Sequence, residues 1–284
     1  MNEAPTHSAK RSWLFTPATM PERFDKAAAS GADVLILDLE DAVAPDRKDE
    51  ARRTAVEFLS RPHRYERTVC ALRINSPTTP HGLEDLLALL RSTARPNAVI
   101  VPKVDSAEIV RLIDCLLVDG GHPTPLVPLV ESARGVAAAE AIAAASPRVE
   151  ALFFGAADLA ADLGAEVAWE PLLAARSRVV NAAAMARVGV IDSPFFNLRD
   201  DAGLSEEVRR AVRLGFTAKA AIHPNQIGPI NAALTPSAAD VAEARKILAE
   251  NAKGVGVVGG RMVDEAVARK ARRTLAAAGE AAPG

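Results

Sequence analysis

Short apolar runs alternate with longer amphipathic segments along this chain, and the alternation can be counted. Residues 12–16 predict a strand. Pro21 then opens a helical stretch to about residue 30, where its fixed φ and missing N–H suit a first helical position, and Gly31 supplies a stop. Residues 33–38, Asp-Val-Leu-Ile-Leu-Asp, are almost continuously apolar, as expected of a parallel strand buried on both faces. A charged helical segment follows over about 46–60. The cycle repeats with strands predicted at 68–74, 98–103, 126–130, 149–155, 188–192 and 218–222. Helical patterns follow them at 82–91, 106–118, 136–145, the stretch to about 187, 204–214, and a short turn near 226–233. Eight strand-then-helix units without a composition break predict a closed (β/α)8 barrel of the TIM type over residues 1–234. An open doubly wound sheet is the competitor, but no GxGxxG follows the first strand and no P-loop is present. The remaining residues, 235–284, predict a C-terminal helical extension: a helix at 237–251, a Gly-rich stretch at 254–260 and a last helix at 263–278. Such a tail packs on its own barrel or reaches a neighbouring subunit.

Composition sharpens this picture. Hydrophobic residues are 49% and aromatics only 4%, so the core must rest on Ala, Val, Leu and Ile. The 34 Lys and Arg nearly balance the 36 Asp and Glu, leaving a net charge of −2 and none of the basic field of a general nucleic-acid binder. Cys70 and Cys115 each sit in an apolar segment. They read as two buried thiols in a reducing compartment. The first ten residues have no apolar core of a secretory signal, and no apolar stretch approaches the ~18 residues of a membrane span. A cytoplasmic protein without membrane contact is expected.

In a barrel of this type the chemistry sits where strands end. The polar residues there are Thr16; Asp38, Glu40 and Asp41; Arg73 and Asn75; and Lys103, Glu131, Asp158, Asp192 and His223. Glu131 and Asp158 end adjacent strands about 4.8 Å apart, so both carboxylates can reach one point and suit Mg2+, a hard ion that accepts oxygen ligands and keeps exchangeable positions. The alternative, two loop carboxylates capping the helices that follow, fits the spacing equally well. Zinc is disfavoured, since no HxxxH or Cys cluster occurs. Arg73 suits bidentate binding of a substrate carboxylate, or a salt bridge to Glu40 or Asp41. The cluster Asp38, Glu40, Asp41 reads as support for Arg73 and Lys103. Among so many acids Lys103 is expected to stay charged, against a Schiff-base role. His223 reads as structural, and no serine-nucleophile motif is convincingly placed.

With these residues in hand, the chain resembles the citrate lyase β-subunit-like family within the HpcH/HpaI aldolase superfamily, over about residues 11–275. The carriers are Arg11-Ser-Trp-Leu-Phe-Thr-Pro17, Gly31-Ala-Asp-Val-Leu-Ile-Leu-Asp-Leu-Glu-Asp-Ala-Val43 and Leu72-Arg-Ile-Asn75. Val101-Pro-Lys-Val104, Leu129-Val-Glu-Ser-Ala-Arg-Gly135, Gly155-Ala-Ala-Asp158 and Ala221-Ile-His-Pro-Asn-Gln-Ile227 complete them. The resemblance implies a Mg2+-dependent lyase that cleaves or forms a C–C bond in a 3-hydroxyacyl-CoA such as malyl-, citramalyl- or citryl-CoA, with an acyl-CoA and an α-keto acid as the other partners. It places the metal on Glu131 and Asp158, the substrate on Arg73 and at the Glu131 site, and CoA phosphate contacts near Thr16, Lys26 or Lys48. It also assigns a catalytic Asp from an adjacent subunit, which falls on Asp264 in Gly260-Arg-Met-Val-Asp264, and so implies a homotrimer or hexamer. The family often has Pro two residues after that Asp, where this chain has Ala266. A malyl-CoA-type thioesterase, a CoA-independent class II hydroxyketo-acid aldolase and a non-catalytic acyl-CoA-binding subunit remain the other readings.

Overall fold

Eight short strands carry apolar side chains on both faces, and their order along the chain is their order around a closed barrel. In the computed structural model residues 10–61, 65, 67–254 and 256–280 are described. The first nine residues, expected to lack a signal, and the closing Ala-Ala-Pro-Gly lie outside them. The strands are β1 Ser12–Pro17, β2 Val34–Asp38, β3 Val69–Arg73, β4 Ala98–Val101, β5 Leu126–Val130, β6 Ala151–Phe154, β7 Gly189–Asp192 and β8 Ala218–Ala221. The helices between and after them are α1 Phe24–Ala29, α2 Lys48–Leu59, α3 Pro80–Leu90, α4 Ala107–Asp119, α5 Ala133–Ala137, α6 Ala139–Ala143, α7 Ala156–Leu163, α8 Trp169–Ala186, α9 Asp201–Leu214 and α10 Ile227–Leu234. All neighbouring strands pair in parallel, and Ser12 opposite Lys219 closes β1 onto β8. The predicted barrel is therefore present, strand for strand.

Side-chain parity decides what faces inward. Trp13, Val34, Ile36, Ala71, Ala98, Ile100, Val127, Leu129, Ala151, Phe153, Ile191, Ala218 and Ala220 form one buried cluster to which every strand contributes. The alternate residues, among them Leu35, Leu37, Cys70, Leu72, Val99 and Leu152, are buried as well and face the helices, as the period of two requires. Each fully buried aliphatic side chain contributes roughly 1.5–3 kcal/mol through removal from water.

Three details differ from the sequence reading. The helix expected at 136–145 is two short ones, broken at Ala138, and the first starts at Ala133 because the Ser132 hydroxyl accepts from Gly135 N at 2.9 Å and caps it. The Gly-rich stretch holds an antiparallel hairpin, β9 Gly256–Val258 and β10 Arg261–Val263, turned by Gly259 and Gly260 at φ 58° and 77°. Such positive φ values define the tight turn that suits a hairpin's twist. Cys115 is exposed on α4, whereas Cys70 is buried as expected. Cys115 falls on the outward side of that amphipathic helix, a distinction its apolar neighbours concealed.

Residues 11–230 make up the barrel unit. From Asn231 onward the contacts belong to a second unit, so the division falls inside α10 rather than after residue 234. In that unit α11 Ala238–Asn251 packs against α12 Glu265–Ala277 through Ala244, Leu248, Ala268, Ala271 and Leu275. Ser237 and Asp240 form a capping box at the start of α11. Among the described residues no helix is long and apolar enough to cross a membrane.

Candidate active site at the barrel mouth

The parity that fills the barrel also arms its mouth. Val34 and Ile36 point inward, so Asp38 does too; Ala71 precedes Arg73, and Val127 and Leu129 precede Glu131 in the same way. Asp38 and Arg73 are register partners at the ends of β2 and β3. Arg73 donates from Nε to Asp38 Oδ1 at 2.7 Å and from Nη2 to Asp38 Oδ2 at 2.6 Å, while its Nη1 lies 3.1 Å from Glu40 Oε2 and 3.7 Å from Asp41. The guanidinium also stacks over Phe15, 4.6 Å from the ring centre. Asp38 accepts in addition from the backbone N–H groups of Glu40 and Ala42, so one carboxylate shapes the loop and fixes Arg73. Glu40 Oε2 is buried and accepts no hydrogen bond, its link to Arg73 being an ion pair only.

Lys103 completes the circuit through an unusual backbone. It follows β4 at φ 54°, a left-handed conformation that costs a non-glycine residue on the order of 1–3 kcal/mol. That turn aims its N–H at Glu131 Oε1, 2.7 Å away, and carries Nζ to 2.7 Å from Glu40 Oε1, 3.5 Å from Asp158 Oδ2 and 3.7 Å from Asp41. Glu131 is buried, while Asp158, in the first turn of α7, is half-exposed. Gly155 makes room for this pair: a Cβ there would collide with Glu131 Cβ and lie 2.7 Å from its Oε2.

The electrostatics follow from that crowding. Burial, then the charges of Glu40 and Asp158, push the Glu131 carboxyl up to about 8. Burial likewise raises Glu40 against the pull of Arg73 and Lys103. Burial alone would lower the Lys103 ammonium, but the bond to Glu40 and the charges of Glu40, Asp41 and Glu131 outweigh it and raise it. A raised ammonium favours the charged form of Lys103. Five carboxylates (Asp38, Glu40, Asp41, Glu131, Asp158) face Arg73 and Lys103, with the Lys48 ammonium behind them. With all five carboxylates ionised, as a bound cation would hold them, the set would lack two positive charges. Oxygen donors, one strongly raised carboxyl and that deficit together fit a hard divalent ion such as Mg2+. The one set of three close ligand atoms among the described residues is elsewhere, Asp49, His81 and Glu84. There Arg52 already supplies the cation, at 2.6 Å from Asp49 and 2.9 Å from Glu84.

Other expected residues are placed as follows. Thr16 is buried at the end of β1 and Lys26 is exposed on α1. Lys48 departs from its expected phosphate contact: it is buried, and Nζ donates to the carbonyls of Leu39 and Glu40 at 2.8 Å each. Its charge is spent on holding the loop after β2. Asn75 bonds Asp85. Asp192 is fully buried between Lys219 and Arg176, whose charges lower it despite the burial. His223 Nδ1 accepts from Asn225 N, an N-cap, as a structural histidine would. Asp264 is exposed in the second unit and caps α12, accepting from Val267 N at 2.9 Å. Sequence reading missed Gly155 and the buried Arg176–Asp192–Lys219 chain. For Gly155 the signal was a glycine directly after an apolar strand.

A barrel mouth that gathers carboxylates able to hold a divalent ion beside a fixed arginine suits metal-assisted chemistry, of which aldolases and lyases are one class. The family model described as HpcH/HpaI aldolase/citrate lyase matches residues 11–224, and the chain belongs to this family of carbon–carbon lyases. It is 36% identical to an L-malyl-CoA/beta-methylmalyl-CoA lyase of Cereibacter sphaeroides, with 95% of each chain covered. It is 39% identical to a citrate lyase subunit beta-like protein of Mycobacterium tuberculosis, over 95% of this chain and 96% of that one. Among solved structures, CitE of Mycobacterium tuberculosis with magnesium, acetoacetate and coenzyme A superposes with a TM-score of 0.80 at 37% identity, covering 96% of this chain and 99% of that one.

Proposed function

We propose that this chain is a Mg2+-dependent lyase that cleaves, or forms in reverse, a 3-hydroxyacyl-CoA of the malyl-, citramalyl- or citryl-CoA kind, with an acyl-CoA and an α-keto acid as the fragments. The observation that carries it is the convergence of Glu131 and Asp158 beside Arg73 and Lys103, in a set that would be short of two positive charges once every carboxylate is ionised. Relatives named for malyl-CoA cleavage, and a neighbour holding magnesium, acetoacetate and coenzyme A, support it.

Glu131 and Asp158 would hold the ion. When bound, Mg2+ acts as a Lewis acid toward oxygen charge that develops as the C–C bond forms or breaks. Arg73 is held by Asp38 with Nη1 turned toward Glu40 and Asp41, so a substrate carboxylate would meet a guanidinium already oriented. In the condensing direction Asp264 of a neighbouring subunit takes a proton from the carbon next to the thioester, and in cleavage it returns one. Exposed Val257 and Met262 on the hairpin just before Asp264 suit contact with a second copy, in a homotrimer or hexamer. Thr16 and Lys26 are the proposed CoA contacts. A cavity of about 400 Å³ beside the first turn of α7, lined by Val167, Pro194, Phe195 and Phe196, offers apolar walls to the acyl portion. A cytoplasmic location goes with this reading, on the two unpaired cysteines.

The experiment is a panel of malyl-, citramalyl- and citryl-CoA with and without Mg2+, following free CoA and keto acid separately. Keto acid released with acyl-CoA, and lost in Glu131→Gln, supports the lyase. Free CoA without keto acid makes the chain a thioesterase, and no turnover of any thioester removes the proposal.

A further inference from the structure

Lys103 has the wrong parity for the mouth. Ala98 and Ile100 face inward, so residue 102 would be the next to do so. The left-handed turn at Lys103 overrides that parity and brings one residue against both candidate metal carboxylates, through N–H on Glu131 and Nζ toward Asp158. The ammonium does not belong to Asp158 alone: it bonds Glu40 at 2.7 Å and stands 3.5 Å from Asp158 and 3.7 Å from Asp41. Its side chain is 45% exposed, so it has room to move. Arg73, at 10% and locked to Asp38 by two bonds, has none.

We propose that the Lys103 ammonium is the resident counter-ion of the carboxylate pair, and that a divalent cation binds by displacing it from Asp158 toward Glu40 and Asp41. The inference rests on Glu131 and Asp158 as the metal pair. An ion on Asp158 would sit about 2.0–2.1 Å from its oxygen, which leaves the ammonium at 3.5 Å facing a like charge at close range. Glu40 and Asp41 already lie 2.7 and 3.7 Å from Nζ and can keep it when Asp158 is taken. The backbone N–H to Glu131 is untouched by the exchange, so one ligand stays fixed while the other trades its cation.

This role is opposite in sign to a purely structural one. If Lys103 only shaped the site, its removal would weaken metal binding; as a competitor, its removal strengthens it. The test measures Mn2+ binding to the substrate-free full chain, by electron paramagnetic resonance of the free ion, in the wild type, Lys103→Met, Lys103→Gly and Lys103→Arg. Glycine accepts the left-handed backbone, so the N–H to Glu131 survives even if methionine perturbs folding. The expected result is an affinity about tenfold higher in the Met and Gly variants and within threefold of wild type in Arg. Added methylammonium should weaken Mn2+ binding to Lys103→Gly. Equal or weaker Mn2+ binding in both uncharged variants overturns the inference. Undiminished Mn2+ binding in a Glu131→Gln, Asp158→Asn double variant would instead overturn the metal pair itself, so the two failures are separate.

Discussion

Asp38 and Arg73 stand opposite each other on neighbouring strands and are joined by two hydrogen bonds of 2.7 and 2.6 Å, a bidentate pair buried at the barrel mouth. The fork geometry of the guanidinium matches a carboxylate, and register alone brings the two together. Asp38 spends its remaining capacity on the N–H groups of Glu40 and Ala42, so the loop bearing Glu40 and Asp41 is built around the same carboxylate. Asp38→Asn leaves the buried guanidinium with Glu40 and the more distant Asp41 as its charge partners. An uncompensated buried charge costs about 3–5 kcal/mol, so with Glu40 in place urea unfolding should show a smaller loss than that, with at least a tenfold fall in kcat as Arg73 leaves its place. A variant with wild-type stability and turnover would show that the pair does not organise the mouth.

Gly155→Ala tests the space behind Glu131. The added methyl would meet Glu131 Oε2 and, more closely, Glu131 Cβ, which is tied to the backbone and cannot swing aside. The buried carboxylate must shift, taking its bond with Lys103 N along. Mn2+ affinity should fall about tenfold, with a loss of roughly 1–3 kcal/mol in stability from overpacking. Titration of the purified variant with Mn2+ reads the first, and a urea melt the second. Unchanged affinity would mean that Glu131 tolerates displacement.

The barrel was legible because the periods of two and about 3.6 repeat through eight units, each strand buried on both faces. Strand-end position also placed Arg73, Glu131 and the Asp38–Asp41 cluster correctly at the mouth. It could not show that Lys48 turns back onto the carbonyls of Leu39 and Glu40, because a lysine's long stem hides its destination. Nor could it separate Asp192, committed to Lys219 and Arg176, from the open acids, since that depends on a strand and a helix remote in sequence. The hairpin at Gly259 and Gly260 was within reach: two glycines flanked by Val258 and Arg261 carry a turn signal that Gly-richness alone obscured.

A second, remote histidine gives a pH prediction free of the metal site. His122 is buried, and its Nε2 lies 3.4 Å from Arg95 Nη1. Burial and the charges of Arg95 and Arg148 lower its pKa below the usual value, about 6.5. The unfolded chain takes up a proton as pH falls through that value, while the folded chain resists. This contribution is therefore present above about 6.5 and is lost as pH falls from there toward the folded pKa. His122→Gln removes it. Urea unfolding at pH 7.5 and 5.5 should show the wild type losing more stability than the variant between the two pH values. Equal losses would mean that the ring titrates alike in both states.

Asp264 has one observed role and one proposed role, and a single substitution can separate them. Its carboxylate caps α12 by accepting from Val267 N, and in the proposed chemistry it exchanges a proton with the substrate of a neighbouring subunit. Asparagine caps a helix about as well as aspartate, whereas alanine forfeits about 1 kcal/mol. Only aspartate can take up and return a proton at neutral pH. Asp264→Asn should therefore keep the thermal midpoint and oligomeric state of the wild type while losing at least a hundredfold in kcat, the scale of a general base. Asp264→Ala should lose both. Full turnover in Asp264→Asn, with a lower midpoint in Asp264→Ala, would reduce the residue to its cap and send the search for the base back to the acids of the mouth.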